Sequence, residues 1–372
     1  MKSGIKYAAA IIVFIVAGFV AGLQDQGSAT AAPATQSMRG VPPVVVRASD
    51  EVSPHRITPR QRTHRANTPA TIIVVNYLTQ GSHDAFGDTC LTWPESAKTA
   101  FQYAADLWAS LITSSTPIKI NACWTSLGSM ILGYSGAISF HRDFSDGIPG
   151  FWYPAALANA LSGTDLNNSD GIDWDGDGSD ADAEIDVALS ASASWHLGTD
   201  GNIPAGKYDS VSVVLHEIGH GLGFAGWTSY SAGQGRWGFY TDYPSIYDRF
   251  VENQGGQSLI NTGLFPNPSN ALGSQLTGNR LCFNGANAKA ANGGSRPKLY
   301  APSTWRPGSS YSHLDKMYDG TPNALMTYSI GYQEVIHDPG PIMLGILSDL
   351  GWTRLTGSTP STTSVFLPFI HK

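Results

Sequence analysis

The sequence predicts an α+β fold. Three observations carry this reading. Alternating or β-branched apolar segments recur along the body of the chain, a helix-period segment lies between the first two of them, and a second helical segment rich in His and Gly follows the last. Thr71 to Tyr77 (TIIVVNY) is β-branched and predicts the first strand. Pro94 opens a stretch in which Phe101, Ala104, Ala105, Trp108 and Leu111 recur at three- and four-residue spacing. That spacing predicts a buried amphipathic helix of about 20 residues, stopped by Pro117. Ile118, Ile120 and Ala122 alternate as a second strand, and Ile185, Val187 and Leu189 as a third, just before a helix that opens near Asp209. No internal repeat is visible.

Composition sets the bounds. The 372 residues are 42% hydrophobic but only 14% charged, against roughly 25% charged in typical soluble domains. A mainly disordered chain is excluded. Ten Trp, fifteen Tyr and fourteen Phe supply a real core in one large domain or two modest ones. The 41 glycines call for long connections. Residues 1–65 carry a balance of +5 and the remainder −12, within a net charge of −7. An acidic body with no basic stripe argues against a nucleic-acid surface, because phosphate contacts need clustered Lys and Arg.

Lys2 and Lys6 precede an uncharged apolar run from Tyr7 to Ala21. The run is shorter than the ~20 residues of a membrane span, and small residues follow it, so residues 1–31 read as a secretory signal. The mature chain is then expected outside the cell or at its surface, with no stable membrane span after cleavage. In that oxidising setting Cys90, Cys123 and Cys282 predict one disulfide and one leftover thiol. Cys90 with Cys123 is the favoured pair, because they flank the predicted helix and strand. No CxxC occurs, which argues against a thiolate zinc site or a redox dithiol. Residues 32–69 are rich in Pro, Ala, Ser and Thr, with Arg47, Arg56, Arg60, Arg62 and Arg65 among them. They read as an unpacked linker or a removable pro-segment. Residues 70–355 would form the main domain and 356–372 a tail.

Residues 209–227 read DSVSVVLHEIGHGLGFAGW. Asp209 or Ser210 can cap a helix whose buried side carries Val213, Val214 and Leu215. His216 and His220, four apart, then lie one turn apart on one face, where both imidazoles reach one cation. Glu217 projects beside that cation rather than onto it. A carboxylate there can take a proton from a zinc-bound water, whose pKa the metal lowers towards neutrality. A tetrahedral catalytic site needs a third protein ligand. Gly223, three residues after His220, permits the left-handed turn that ends a helix abruptly.

HExxHxxG resembles the opening of the metzincin motif, shared by a clan of zinc endopeptidases. The resemblance covers residues 205–227 and 298–352, including the closing segment PGPIMLGILSDLGW, and it implies a metzincin-like zincin fold. Such a fold has an N-terminal twisted sheet with a backing helix and an active-site helix, then a loop-rich C-terminal subdomain with a methionine turn. Most metzincins carry a third ligand three residues after the glycine, where this chain has Gly226. The leishmanolysin-like branch supplies its third histidine after a long insertion, shortly before the methionine turn. Residues 308–330 (GSSYSHLDKMYDGTPNALMTYSI) look like that pattern, with His313 as third ligand and Met326 beneath the metal. Residues 228–297 would be the insertion. The resemblance also implies that Tyr328 stabilises the oxyanion on the attacked carbonyl.

Residues 173–184 (DWDGDGSDADAE) match the spacing of an EF-hand calcium loop, with Asp173, Asp175, Asp177 and Glu184 as ligands and Gly178 at the turn. The alternation from Ile185 onward replaces the second helix of such a hand, so a structural calcium site competes with an acidic solvated loop. Leu189 and its neighbours are expected to run just above the cleft, where a substrate strand adds to the sheet edge.

Two functions from different classes follow. The first is a secreted zinc-dependent endopeptidase acting on protein or peptide substrates, with Glu217 as general base. The second is a non-catalytic, calcium-dependent binding or surface protein on the same scaffold, motivated by Gly226 and the Asp-rich loop. A carboxylate such as Glu252 as third ligand is the variant reading of the site.

Overall fold

The computed structural model describes residues 35–38, 40–52, 55–59, 71–167, 182–239 and 241–353. The expected signal, the tail from 356 and most of the Asp-rich loop lie outside these residues. The elements that position the site are β1 (Gln36–Met38), β2 (Val44–Val52), β3 (Ile73–Tyr77), α1 (Glu95–Ala109), β4 (Ile118–Thr125), β5 (Ile131–Ala137), β6 (Phe140–Arg142), β7 (Ile185–Ser190), α2 (Ser210–Gly221), β8 (Ser329–Tyr332) and α3 (Gly340–Leu350). The fold is α+β, as expected.

One six-stranded sheet runs in the order β8-β2-β5-β7-β4-β3. β3, β4 and β7 are mutually parallel, while β5 is antiparallel to β7. β2 is antiparallel to β5 and parallel to β8. β1 pairs separately with β6. Each side chain of β4 from Ile120 and all of β7 is buried, because β7 lies between two strands and under a helix.

α1 is 15 residues long and ends at Ala109, shorter than its apolar spacing suggests. Leu111 and Ile112 continue the buried surface from a turn. The face Phe101, Ala104, Ala105 and Trp108 packs into the core, and the Trp108 indole donates to the Leu215 carbonyl at 2.9 Å. That bond fixes α1 as the backing helix of α2. Trp352, after α3, donates to the Leu222 carbonyl at 2.8 Å and holds the other end of α2. The Cys90–Cys123 disulfide forms, leaving Cys282 as a half-buried free thiol.

Two expectations are corrected. Residues 44–52, placed in an unpacked segment, are a strand inside the central sheet, and Val46 is fully buried. Three consecutive β-branched residues, Val44 to Val46, satisfy the pleated surface despite the Pro- and Thr-rich sequence around them. β7, expected above the cleft, is an interior strand paired on both sides. The strand that presents an edge towards the site is β5, and β2 occupies that edge. Among the described residues, no helix is long and apolar enough to cross a membrane.

Candidate metal centre

α2 starts where Asp209 accepts a hydrogen bond from Ser212 N at 3.0 Å, a cap of about 1 kcal/mol. The His337 ring lies 2.7 Å from the same carboxylate oxygen and supports the cap. All twelve residues of α2 are buried, so it is a core helix rather than an amphipathic surface one. Its His216, Glu217 and His220 therefore sit where polar groups are costly without partners.

The imidazoles find those partners in a uniform way. Nδ1 of His216 lies within hydrogen-bond reach of Leu325 O, Nδ1 of His220 is 2.7 Å from Phe224 O, and Nδ1 of His313 is 2.7 Å from Ser309 O. A carbonyl only accepts, so each Nδ1 carries the proton and each Nε2 keeps a lone pair. The three Nε2 atoms converge, with His216 and His220 2.9 Å apart and each 3.2 Å from His313. Three lone pairs aimed at one point repel unless a cation lies between them. Two nitrogens each about 2.1 Å from one tetrahedral cation sit about 3.4 Å apart, close to the spacing seen.

Burial lowers the pKa of all three rings, to about 4 for His216 and well below the usual value for His220 and His313, where a neighbouring ring's charge adds to the effect. The neutral form is the one that binds metal, and a carbonyl on the far nitrogen fixes its orientation. These three residues form the one group able to hold a metal ion among the described residues.

Local geometry explains each support. Gly223, at φ 117°, ends α2. The chain doubles back there, so that Phe224 N donates to Gly219 O at 3.2 Å while Phe224 O holds His220. A Cβ on Gly219 would lie 3.1 Å from Met326 Sδ, so the glycine lets the helix rest on Met326. Met326 closes the turn Ala324–Met326 and is fully buried. Its neighbour Leu325 supplies the carbonyl for His216.

Gly226 has no room for a ligand. A Cβ there would fall 2.0 Å from the Tyr311 ring and 2.8 Å from Asp248 Oδ1. Tyr311 donates to that carboxylate at 2.9 Å and adopts φ 77°, two residues before His313. The ring that fills the space at Gly226 thus belongs to the loop that carries His313.

Glu217, next to His216 on α2, is fully buried. Its Oε1 accepts from Val46 N at 3.3 Å, and its Oε2 has no hydrogen-bond partner. Burial pushes its carboxyl well above the usual carboxylate range. Gly133 on β5 makes this approach tolerable, since a Cβ there would meet Glu217 Oε1 at 3.1 Å and Ala188 O at 2.9 Å.

The other sequence-derived residues divide as follows. Tyr328 stacks on Tyr300 at 4.2 Å between ring centres, with the charged ends of Arg306 and Lys316 5.5 and 5.6 Å from the centre of its ring. Asp173, Asp175 and Asp177 lie outside the described residues. Glu184 is fully buried, and its oxygens accept from Lys119 N at 2.5 Å and Asn159 Nδ2 at 3.3 Å, with burial raising its pKa to about 8. Its carboxylate is thus engaged by the protein at the point where the spacing placed a calcium ligand. Glu252 pairs with Arg296 at 2.9 Å and is not part of the histidine group. Sequence reading missed three contributors: the Val46 amide, Gly133 and the Tyr311 wedge. Only the Val44–Val46 run carries a signal for any of them.

Compared with protein-family models, curated proteins and solved structures, the chain finds no match.

Proposed function

We propose that the chain is a secreted zinc-dependent endopeptidase of the metzincin type, with the distant third histidine of the leishmanolysin-like arrangement. One observation carries the reading: three imidazoles, each anchored through Nδ1, direct their Nε2 lone pairs to one point, two of them from the helix that also carries the buried Glu217. Three nitrogen ligands with a fourth position open suit catalytic zinc. When bound, zinc supplies an activated water and polarises the scissile carbonyl.

The chain's own groups supply the rest. His216, His220 and His313 would hold the ion in a pocket closed by Met326. Glu217 takes the proton from the attacking water and passes it to the leaving amide nitrogen, a role that needs a carboxylate within hydrogen-bond reach of both. Backbone of β5 and β8 borders the groove in which an extended peptide would pair. Tyr328, stacked on Tyr300, would steady the oxyanion.

Zinc dependence tests the reading without any mutation. Chelation of the purified chain should stop hydrolysis of an unfolded protein substrate, and zinc added back to one equivalent should restore it. Hydrolysis that continues at an unchanged rate in the chelated, metal-free chain removes the proposal.

A further inference from the structure

We propose that Arg306 and Lys316, with Arg47 beside them, form a subsite for a substrate carboxylate, so that the chain selects acidic peptides. This rests on the endopeptidase reading and adds its substrate class. The charged ends of Arg306 and Lys316 lie 5.5 and 5.6 Å from the centre of one ring, that of Tyr328. Tyr328 directly precedes β8, which borders the proposed peptide groove. A side chain of a peptide lying there comes within reach of both cations.

The loop that carries His313 also places both cations. Arg306 O accepts from Ser309 N and Ser310 N at 3.0 and 2.9 Å, and Arg306 N donates to Ser310 Oγ at 3.0 Å. Ser309 O in turn holds the His313 ring, and Lys316 follows three residues after that histidine. Tyr300, whose N donates to His313 O at 2.8 Å, stacks on Tyr328 with the ring planes 11° apart. Arg47 reaches the same place from β2. Its N donates to Tyr328 O at 3.0 Å and its Nε to Ser309 Oγ at 3.2 Å. Burial raises the Tyr300 phenol to about 12, and the charges of Arg306 and Arg47 both act there in the opposite direction. Positive charge from two separate stretches of chain thus gathers around the stacked tyrosines.

The charge balance makes this gathering informative. Beyond residue 65 acids exceed bases by 12, so cations have carboxylates to pair with. Lys98, Lys119, Arg142, Arg296 and Lys298 each do so. Arg306 and Lys316 are exposed, and neither has an ion-pair partner among the described residues. Asp315, next to Lys316, is engaged by Lys298 at 3.1 Å and by Met317 N. Two like charges held at one ring, within a Debye length of about 8 Å at physiological salt, repel each other and attract an anion. A carboxylate between them relieves that repulsion.

The test uses the full chain loaded with one zinc and amidated peptides in which a single Glu or Gln is moved along both sides of the scissile bond. At its best position Glu should exceed Gln in kcat/KM by about three- to tenfold, the size expected of one or two exposed ion pairs, with the gain lying in KM. The preference should fade at 1 M salt, where the Debye length is about 3 Å. Arg306→Gln with Lys316→Gln should abolish it, and Arg306→Glu with Lys316→Glu should reverse it in favour of a Lys peptide. A gain that appears only when the Gln peptide keeps a free C-terminal carboxylate leaves the subsite standing, with the chain end as its ligand. Equal Glu-to-Gln ratios in wild type and the double Gln variant overturn the inference while the endopeptidase reading stands. So does a fall in kcat that is the same for both peptides, which assigns the cations to the oxyanion instead. If zinc-loaded wild type cuts none of the peptides, the endopeptidase reading itself fails and takes this one with it.

Discussion

Glu217→Ala should keep one metal ion per chain and lose about 10²–10⁴-fold in peptide hydrolysis, the usual contribution of a positioned general base. The separation of the two readouts follows from the geometry. The carboxylate is no part of the ligand group, whose rings are held by Leu325, Phe224 and Ser309. Alanine also removes a buried polar group with one unpartnered oxygen, so the variant should melt no lower than wild type. Metal content by elemental analysis, hydrolysis rate and melting temperature together decide the outcome. Unchanged hydrolysis would remove Glu217 from the chemistry, and loss of metal would make it a ligand.

His313→Ala should lose metal and hydrolysis together. Removing an outer hydrogen-bond partner of a ligand costs about 10–100-fold in affinity, and removing the ligand itself should cost more. Among the described residues no other His, Cys, Asp or Glu joins the group, and the Tyr311 ring and Asp248 fill the space at Gly226. The fold should survive, since His313 lies outside the sheet and helices and its backbone is held through Tyr300. His196→Ala is the matched control. That ring bonds Asp200 at 3.2 Å, is absent from the ligand group, and its loss should leave stoichiometry at one. Full metal content in His313→Ala would return the third ligand to some other residue.

What could be read in advance was local or rested on resemblance. The four-residue spacing of His216 and His220, the Asp209 cap and the apolar face of α1 depend on a few turns of chain, and all three appear. His313 lies far away in sequence and came from its place before Met326 in a recognisable pattern rather than from spacing on one element.

The errors are non-local. Alternation at Ile185, Val187 and Leu189 identifies a strand but not its neighbours, so β7 was set at the cleft when it lies inside the sheet. The composition of residues 32–69 averaged three valines into a linker. Nothing along the chain could announce that the Val46 amide meets Glu217, because the pairing of β2 with β5 is fixed by both strands and the groove between them. The absence of a ligand at Gly226 was visible in sequence, whereas its cause, a tyrosine 85 positions later, was not. Glu184 accepts from Lys119 N and Asn159 Nδ2, and the other residues of the calcium spacing, Asp173, Asp175 and Asp177, lie outside the described residues.

Zinc-edge X-ray absorption on the full chain loaded with one equivalent of zinc tests the central claim most directly. Three imidazole nitrogens at about 2.0–2.1 Å, reduced to two in His313→Ala under saturating zinc, is the predicted result. A shell containing sulfur, or one still built from three imidazoles when His313 is gone, would contradict it.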